Sequence, residues 1–333
     1  MTMLDIYAIG QALVDEEYRV PESFIQEQGL ARGHRTLIDF ERSQTLRQSA
    51  AQQGKLVSRM NGGSGANSIT AAAQLGASCH FSCHLGDDTE GDFYLNELKA
   101  SGVQIDARDR VTDGHTGVCL VMVTPDAERT MNTYIGITDE IGPEDINEAA
   151  LLAAKWVYLE GHLLISPSGS EAALVCRELA RAAGQPVALN FCDPAVTRLC
   201  QPGLQQLLAE PVDLLFCNEE EALIWAQTTE LDQACQALNN IAERWVMTRG
   251  DFGAIAFDGN KRFIIAAHSI TAVNTTGAGD TFAGAFMYGL TQQLDFAQAG
   301  ALASLASAEK VQQSGTRLNQ KQLLEVRQLS LGW

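Results

Sequence analysis

Asn274-Thr275-Thr276-Gly277-Ala278-Gly279-Asp280-Thr281-Phe282 is the stretch on which the reading of this chain turns. Phe263 to Val273, just before it, is rich in Ile, Ala and Val and reads as extended. After it, Phe282, Phe286 and Leu290 fall on one face at helical spacing. The pattern is strand, tight glycine turn, helix. Such a turn aims free backbone N–H groups, and the positive end of a helix dipole, at one point. Gly277 and Gly279 permit positive φ and let an anion approach the main chain closely. Asp280 at the rim has two readings. It is an N-cap, a common use of Asp, or it is a general base beside an anion hole, the arrangement that moves a phosphoryl group onto a hydroxyl.

The 333 residues are 46% hydrophobic, enough for a large core in one big α/β domain or in two. A net charge of −18 makes nucleic acid and anionic membranes poor partners. No apolar run approaches the roughly 20 residues of a membrane span. Met1-Thr2-Met3-Leu4-Asp5 lacks the basic start and apolar core of a signal peptide. Eight cysteines scattered without a disulfide rhythm point to a reducing cytoplasm. Cys79-His80-Phe81-Ser82-Cys83-His84 suggests a metal site, but in a strand Cys79, Phe81, Cys83 and Leu85 share one face and the two histidines the other. A buried strand with small cysteines is the better reading.

Leu4 to Gly10 reads as a first, buried strand, with Asp15 just beyond its end, where α/β sheets usually bind ligands. Asp15 is a ligand clamp or a solvated loop acid. Asp39 to Leu46 reads as helix. Gly62-Gly63-Ser64-Gly65-Ala66-Asn67 leads into an alanine-rich helix, Ser68 to Leu75, closed by Gly76. Its glycines serve a turn and close helix packing, or let substrate hydroxyls reach the backbone. Thr116 to Val123 and Thr130 to Ile135 alternate around a turn signal, which makes a hairpin in an otherwise strand–helix rhythm. Further strands are expected at Trp156–Glu160, Pro186–Phe191, Val212–Cys217, Trp245–Thr248 and Phe252–Phe257, and a helix over 297–313. His162 follows the first of these strands and is either a stacking surface or a loop residue bonded to backbone. Asn218 and Glu221, by themselves, read as an N-cap asparagine followed by a glutamate that favours a helix N-terminus. No repeat, low-complexity tract or linker interrupts the order, which implies a mostly parallel sheet covered on both faces.

V-N-T-T-G-A-G-D-T-F-A-G-A-F over 273–286 resembles the C-terminal signature of the ribokinase, or PfkB, family of sugar and nucleoside kinases. Gly62, Gly63 and Asn67 match the family's N-terminal signature, and Gly86-Asp87-Asp88-Thr89-Glu90-Gly91 its G-x-D-x-x-G turn. Gly33 to Asp39, Val123 to Tyr134 and Tyr158 to Leu164 look most like the adenosine-kinase branch. The resemblance spans essentially the whole chain. It implies a ribokinase-like α/β fold in a single domain, 1–333, with a small β lid from about 11–60 and 112–138. It implies transfer of the γ-phosphate of ATP to a hydroxyl, with Asp280 as base and the amides of Gly277, Ala278 and Gly279 as the anion hole. Gln11, Leu13, Asp15, Gly62, Gly63, Ser64, Asn67, Tyr134 and His162 would take the acceptor. Asn218, Thr248, Gly250 and Gly315 would meet ATP, with Asn218 and Glu221 behind the waters of Mg²⁺. The family commonly has Asp where this chain has Asn274, an acid that in relatives helps hold a stimulating monovalent cation, so use of K⁺ is left open. Adenosine is the favoured acceptor; a free sugar such as ribose or fructose is the alternative, and a catalytically silent nucleotide-binding scaffold the third reading. A monomer or homodimer is expected.

Overall fold

Nine strands form the central sheet of the computed structural model, which describes residues 3–106 and 110–332. Met1 and Thr2, part of the N-terminal stretch read above, lie outside the described residues. Across the sheet the order is Arg262–Ile265, Ala254–Phe257, Trp245–Thr248, Leu214–Asn218, Val187–Asn190, Ala154–Glu160, Leu4–Ile9, Cys79–Ser82 and Val103–Gln104. From Trp245–Thr248 onward every pairing is parallel. Ala254–Phe257 is antiparallel to both its neighbours. The parallel strands are continuous apolar runs because helices cover both faces. Side chains alternate between two cores: Ile6 and Ala8 join Phe81, Tyr158 and Phe286 on one face. Tyr7 and Ile9 join Leu159, Leu189 and Leu215 on the other.

A second sheet of five strands lies over the C-terminal ends of the first, in the order Arg35–Leu37, Arg129–Tyr134, Gly117–Val123, Leu13–Arg19 and Lys55–Gly62. The expected hairpin is its antiparallel pair, Gly117–Val123 with Arg129–Tyr134. Glu16 on the Leu13–Arg19 strand is buried between Arg47 and Arg59, and both arginines also meet Glu90 on the Thr89–Ala100 helix. This network ties the small sheet to the main body. Charges buried this way must be paired to be tolerated.

Two helices begin earlier than their apolar periodicity suggests. The helix after the first glycine signature starts at Ser64, not Ser68. The helix after the second starts at Ala278, not Phe282. Gly277 caps it at φ 79°, so Asp280 lies inside the first turn and is not the N-cap. Polar residues of a first turn carry no apolar period, which hides them from pattern reading. The extended reading of 263–273 is also corrected: only Arg262–Ile265 is strand, and the following residues are irregular. That strand is the outermost of the sheet and pairs only through Ala254–Phe257. Phe252 belongs to a short 3₁₀ turn, Gly250–Phe252, and is exposed, so the strand begins at Ala254.

The cysteine-rich stretch is a buried strand over Cys79–Ser82, as the alternation implied. His84 lies beyond it, where its Nδ1 pairs with Asp145 at 2.9 Å and its pKa is raised by that hydrogen bond. All eight cysteines are free thiols. Among the described residues no helix is long and apolar enough to cross a membrane.

Candidate active site

The two glycine signatures meet at one carboxylate. Asp280 Oδ1 accepts a hydrogen bond from Ser64 Oγ at 2.5 Å, and Oδ2 accepts one from Asn67 Nδ2 at 2.9 Å. The donors sit in the first turn of Ser64–Leu75, the acceptor in the first turn of Ala278–Thr291. Two helix N-termini therefore converge on the same acid. The helices approach closely at Gly284, where a Cβ would stand 2.1 Å from Ser68 O. Gly277 is required in the same sense: a Cβ there would stand 2.0 Å from Thr316 O, and its φ is positive.

The turn leaves donors free. The amides of Gly277, Gly279 and Asp280 find no acceptor among the described residues. Such orphan N–H groups at a helix N-terminus are a ready anion site. Ala278 differs from the expectation, because its amide donates to Thr275 O at 3.1 Å and closes the turn.

Asp280 stands in the wall of a cavity of about 450 Å³. Gln11, Leu13, Asp15, Gly63, Ser64, Asn67 and His162, all expected at an acceptor site, line it. Gly62 lies directly behind Asp15, where a Cβ would be 2.3 Å from Asp15 Oδ2. Tyr134 does not reach this cavity. Along the Arg129–Tyr134 strand, Arg129 and Met131 face it, and period-2 alternation turns Tyr134 to the other side. There it packs edge-on against Phe40, 5.4 Å between centroids.

A second cleft, about 210 Å³, lies across the glycine turn. Thr248 and Gly250 line it, with Gly253, His268, Ser307 and Val311. Thr248, Thr275 and Gly279 face both spaces, so the turn is the partition between them. Part of the irregular run after Arg262–Ile265 forms one wall. Gly315 lines the first cavity, against Met60, rather than this cleft.

The electrostatics of the first cavity are unusual for its acids. Asp15 is pushed up to about 7 by loss of water, opposed by Arg317 and Arg35, with Asp280 adding to the rise. Asp280 is raised for the same first reason, and its bonds from Ser64 and Asn67 oppose the shift. His162 is lowered to about 4 by burial and by Arg35, so its ring is neutral at physiological pH. Asn67 Oδ1 is buried without a partner, an acceptor left for a hydroxyl. Glu160 is 1% exposed, pushed up to about 7 by burial, and accepts from the amides of Gln11 (2.5 Å) and Gly65.

Asn218 and Glu221 form a reciprocal cap: Asn218 Oδ1 accepts from Glu221 N, and Glu221 Oε2 from Asn218 N, each at 2.8 Å. Asn218 Nδ2 donates to the other carboxylate oxygen, Glu221 Oε1, at 2.8 Å. Burial pushes Glu221 up to about 8, with Asp193 and Asp280 adding to it. A divalent cation would relieve that crowding of acids. Because both residues are already engaged with each other, they suit contact through its waters rather than direct ligation.

Sequence reading missed several lining residues, among them Arg35, Met60, Glu160, Cys192 and Arg129. It also missed Arg317, which is half-buried, donates to Asn61 and Thr70 and acts on both Asp15 and Asp280. Only Glu160 carried a signal, as an acid ending a buried strand. Glu160, His162 and Cys192 also bring one ligand atom each within 4.8 Å of one another, whereas the Cys79–His84 stretch is not among the described metal-ligand groups.

The family model for pfkB family carbohydrate kinases matches residues 33–323. The chain belongs to that family. Its members are phosphotransferases that act on hydroxyl groups of sugars or nucleosides and use ATP, so the silent-scaffold reading is set aside. A ribokinase from Staphylococcus aureus is 28% identical over 80% of this chain and 87% of its own length. A solved probable sugar kinase from Rhizobium etli is 30% identical, with a TM-score of 0.88 over 99% of both chains. An adenosine kinase from Sinorhizobium meliloti is 29% identical, also at 0.88, over 98% of this chain and 99% of the other. The ribokinase-like fold read from the signatures is thus the fold of the pfkB kinase family to which this chain belongs.

Proposed function

We propose that this pfkB kinase transfers the γ-phosphoryl group of ATP to a hydroxyl of a nucleoside, adenosine foremost. What carries the reading is Asp280, a single carboxylate of the first cavity held by Ser64 and Asn67, beside unpaired amides of the turn that divides that cavity from the second cleft. The acceptor hydroxyl gives its proton to Asp280 while its oxygen bonds to the γ-phosphorus, and the bond to the bridging oxygen of ADP breaks. Gly277 and Gly279 donate to the phosphoryl oxygens as charge redistributes, with Ala278 only shaping the turn. Asp15 and the free Oδ1 of Asn67 hold the remaining acceptor hydroxyls. ATP lies in the cleft of Thr248 and Gly250, a placement that does not need Gly315. Mg²⁺, when bound, neutralises phosphate charge; Asn218 and Glu221 would hold its waters. The five-stranded sheet is the lid that excludes water, the commonest wrong acceptor.

The nucleoside preference rests on the upper wall of the first cavity, where Leu13, Val121 and Met131 form an apolar shelf and His162 offers a neutral planar ring. Base stacking contributes ~1–3 kcal/mol in single-strand sites, and 1.4 kcal/mol is tenfold. Adenosine should therefore show kcat/KM at least about tenfold above ribose, and His162→Ala should erode that margin while leaving any ribose turnover unchanged. One observation favours a sugar instead: among the described lining residues, His162 is the one ring. An ADP-release screen with nucleosides and sugars at equal concentration decides between them. Ribose or fructose as the best acceptor would replace the nucleoside reading.

A further inference from the structure

Lys310 is 0% exposed, near the end of the Phe296–Val311 helix. Lysine is almost never fully buried unless its charge is used. Its Nζ donates to the main-chain O of Asn274 at 2.8 Å, directly under the start of the glycine turn. The charged groups acting on it come from three other elements: Arg129 on its strand, Glu17 on the Leu13–Arg19 strand, and Asp280 above.

Asn274 itself is fully engaged. Its Oδ1 accepts from Arg129 Nη1 at 2.6 Å and from Thr276 N at 2.8 Å. Its Nδ2 donates to Gly315 O at 2.9 Å, and its amide to Val311 O at 3.0 Å. A hard monovalent cation at this turn needs free oxygens, preferably with a carboxylate among them. Here the side chain is neutral, and the Asn274 carbonyl already serves an ammonium. The residues present do not fit the K⁺ that the family resemblance left open.

We propose that the Lys310 ammonium is a tethered cation that replaces a dissociable one, holds the anion-binding turn in its working shape, and makes phosphoryl transfer independent of added K⁺. Lys310 is on this view a positioning residue, acting through Asn274 and the turn. The proposal rests on the turn being the phosphoryl-binding element. A tethered charge cannot be lost at low ionic strength, and its geometry is set by the helix that carries it.

The test compares chlorides of K⁺, NH₄⁺, Na⁺ and tetramethylammonium at constant ionic strength, reading ADP release with the better of adenosine and ribose. The wild-type rate should vary by less than about twofold across the series. Lys310→Ala in tetramethylammonium should lose about ten- to a hundredfold in kcat, the range for a lost charged hydrogen bond. K⁺ or NH₄⁺ should restore much of that loss by entering the vacated space. Lys310→Met, which fills the space without charge, should be slow in every salt. Activation of the wild type by K⁺ of more than about threefold would overturn the proposal, and so would an alanine variant that is fully active in tetramethylammonium or slow in all four salts. If the alanine variant does not fold, the wild-type salt series decides alone. If neither acceptor releases ADP, the acceptor reading has failed, and the cation question is read from the thermal shift produced by ATP in K⁺ against tetramethylammonium. A shift that depends on K⁺ in the wild type overturns the proposal; an equal shift supports it.

Discussion

Replacing Asp280 with Asn separates shape from proton transfer. The carboxylate has two neighbours of different kinds. Ser64 can donate or accept through its rotatable hydroxyl, whereas Asn67 Nδ2 can only donate. In Asp280→Asn the new amide can turn its NH₂ toward Ser64 and its oxygen toward Asn67, so both contacts survive. No cavity opens, and a group whose ionised form was disfavoured by loss of water becomes neutral. The folded state should therefore be at least as stable as the wild type, with a thermal midpoint that is unchanged or higher. ATP affinity should be retained, because the unpaired amides of Gly277 and Gly279 are main chain. What is lost is the ability to accept the acceptor's proton. General-base catalysis contributes ~10²–10⁴-fold, equivalent to about 2.7–5.5 kcal/mol of barrier. A coupled ADP-release assay at saturating ATP and acceptor measures kcat, and isothermal titration measures ATP binding. Turnover within threefold of wild type would refute the base role. A large loss of ATP affinity would refute the claim that the main chain, not the acid, holds the phosphates.

Asp15→Ala should raise the acceptor KM about ten- to a hundredfold, from the loss of a charged hydrogen bond of ~1.5–3 kcal/mol, while steady-state KM for ATP stays put; an unchanged acceptor KM would remove Asp15 from the clamp. Gly277→Ala puts a Cβ 2.0 Å from Thr316 O at a φ of 79°, so the turn must shift and turnover should fall steeply with the fold intact by circular dichroism; wild-type kinetics would show the turn to be tolerant. Stability of the ligand-free protein should fall as pH rises. Glu160 and Glu221 are held up to about 7 and about 8 by burial, against 4.5 ordinarily, so between those values the folded state binds protons the unfolded chain has released. Each such group then removes up to about 1.4 kcal/mol of stability per pH unit in its window, and the loss levels off above its folded value. The thermal midpoint in metal-free buffer should accordingly be lower at pH 8 than at pH 5.5, and a midpoint that climbs over this range would contradict the burial of these acids.

The sheet was legible because its strands are buried on both faces and stand out as short apolar runs between glycines. The hairpin was legible for the opposite reason, a clean alternation. Boundaries failed where polarity hid the period. Ser64, Asn67 and Asp280 are polar residues in first helical turns, so the helices seemed to start after them. The run from Phe263 looked like a longer strand because Ile, Ala and Val favour extension. An edge position with one neighbour gives such a run only three paired residues, Phe263, Ile264 and Ile265, and the remainder is free to wall the second cleft. Tyr134 was misplaced by one register step: it was assigned to the cavity that Met131 faces, yet an odd spacing along a strand sends the two side chains to opposite faces.

The cavity itself shows where sequence reasoning stops. Its acids and glycines lie in short motifs whose spacing carries meaning. Its cations do not: Arg35 and Arg129 in its lining, and Lys310 and Arg317 outside that lining, come from separate elements, and nothing beside them in the chain announces a shared role. Asn274 shows the difference within one contact set. The departure from the family's acid was visible as a single letter, and it suggested only that something was missing. Its replacement lies 36 residues further on, at the end of a helix whose last turn brings an ammonium back under the turn. An Asn at that place is chosen as much by Gly315 as by the cation, because its NH₂ donates to a carbonyl that a carboxylate would repel. The neutral side chain and the buried lysine are therefore two halves of one arrangement, and changing either alone leaves an unpaired polar group in the interior, at a cost of about 1–3 kcal/mol.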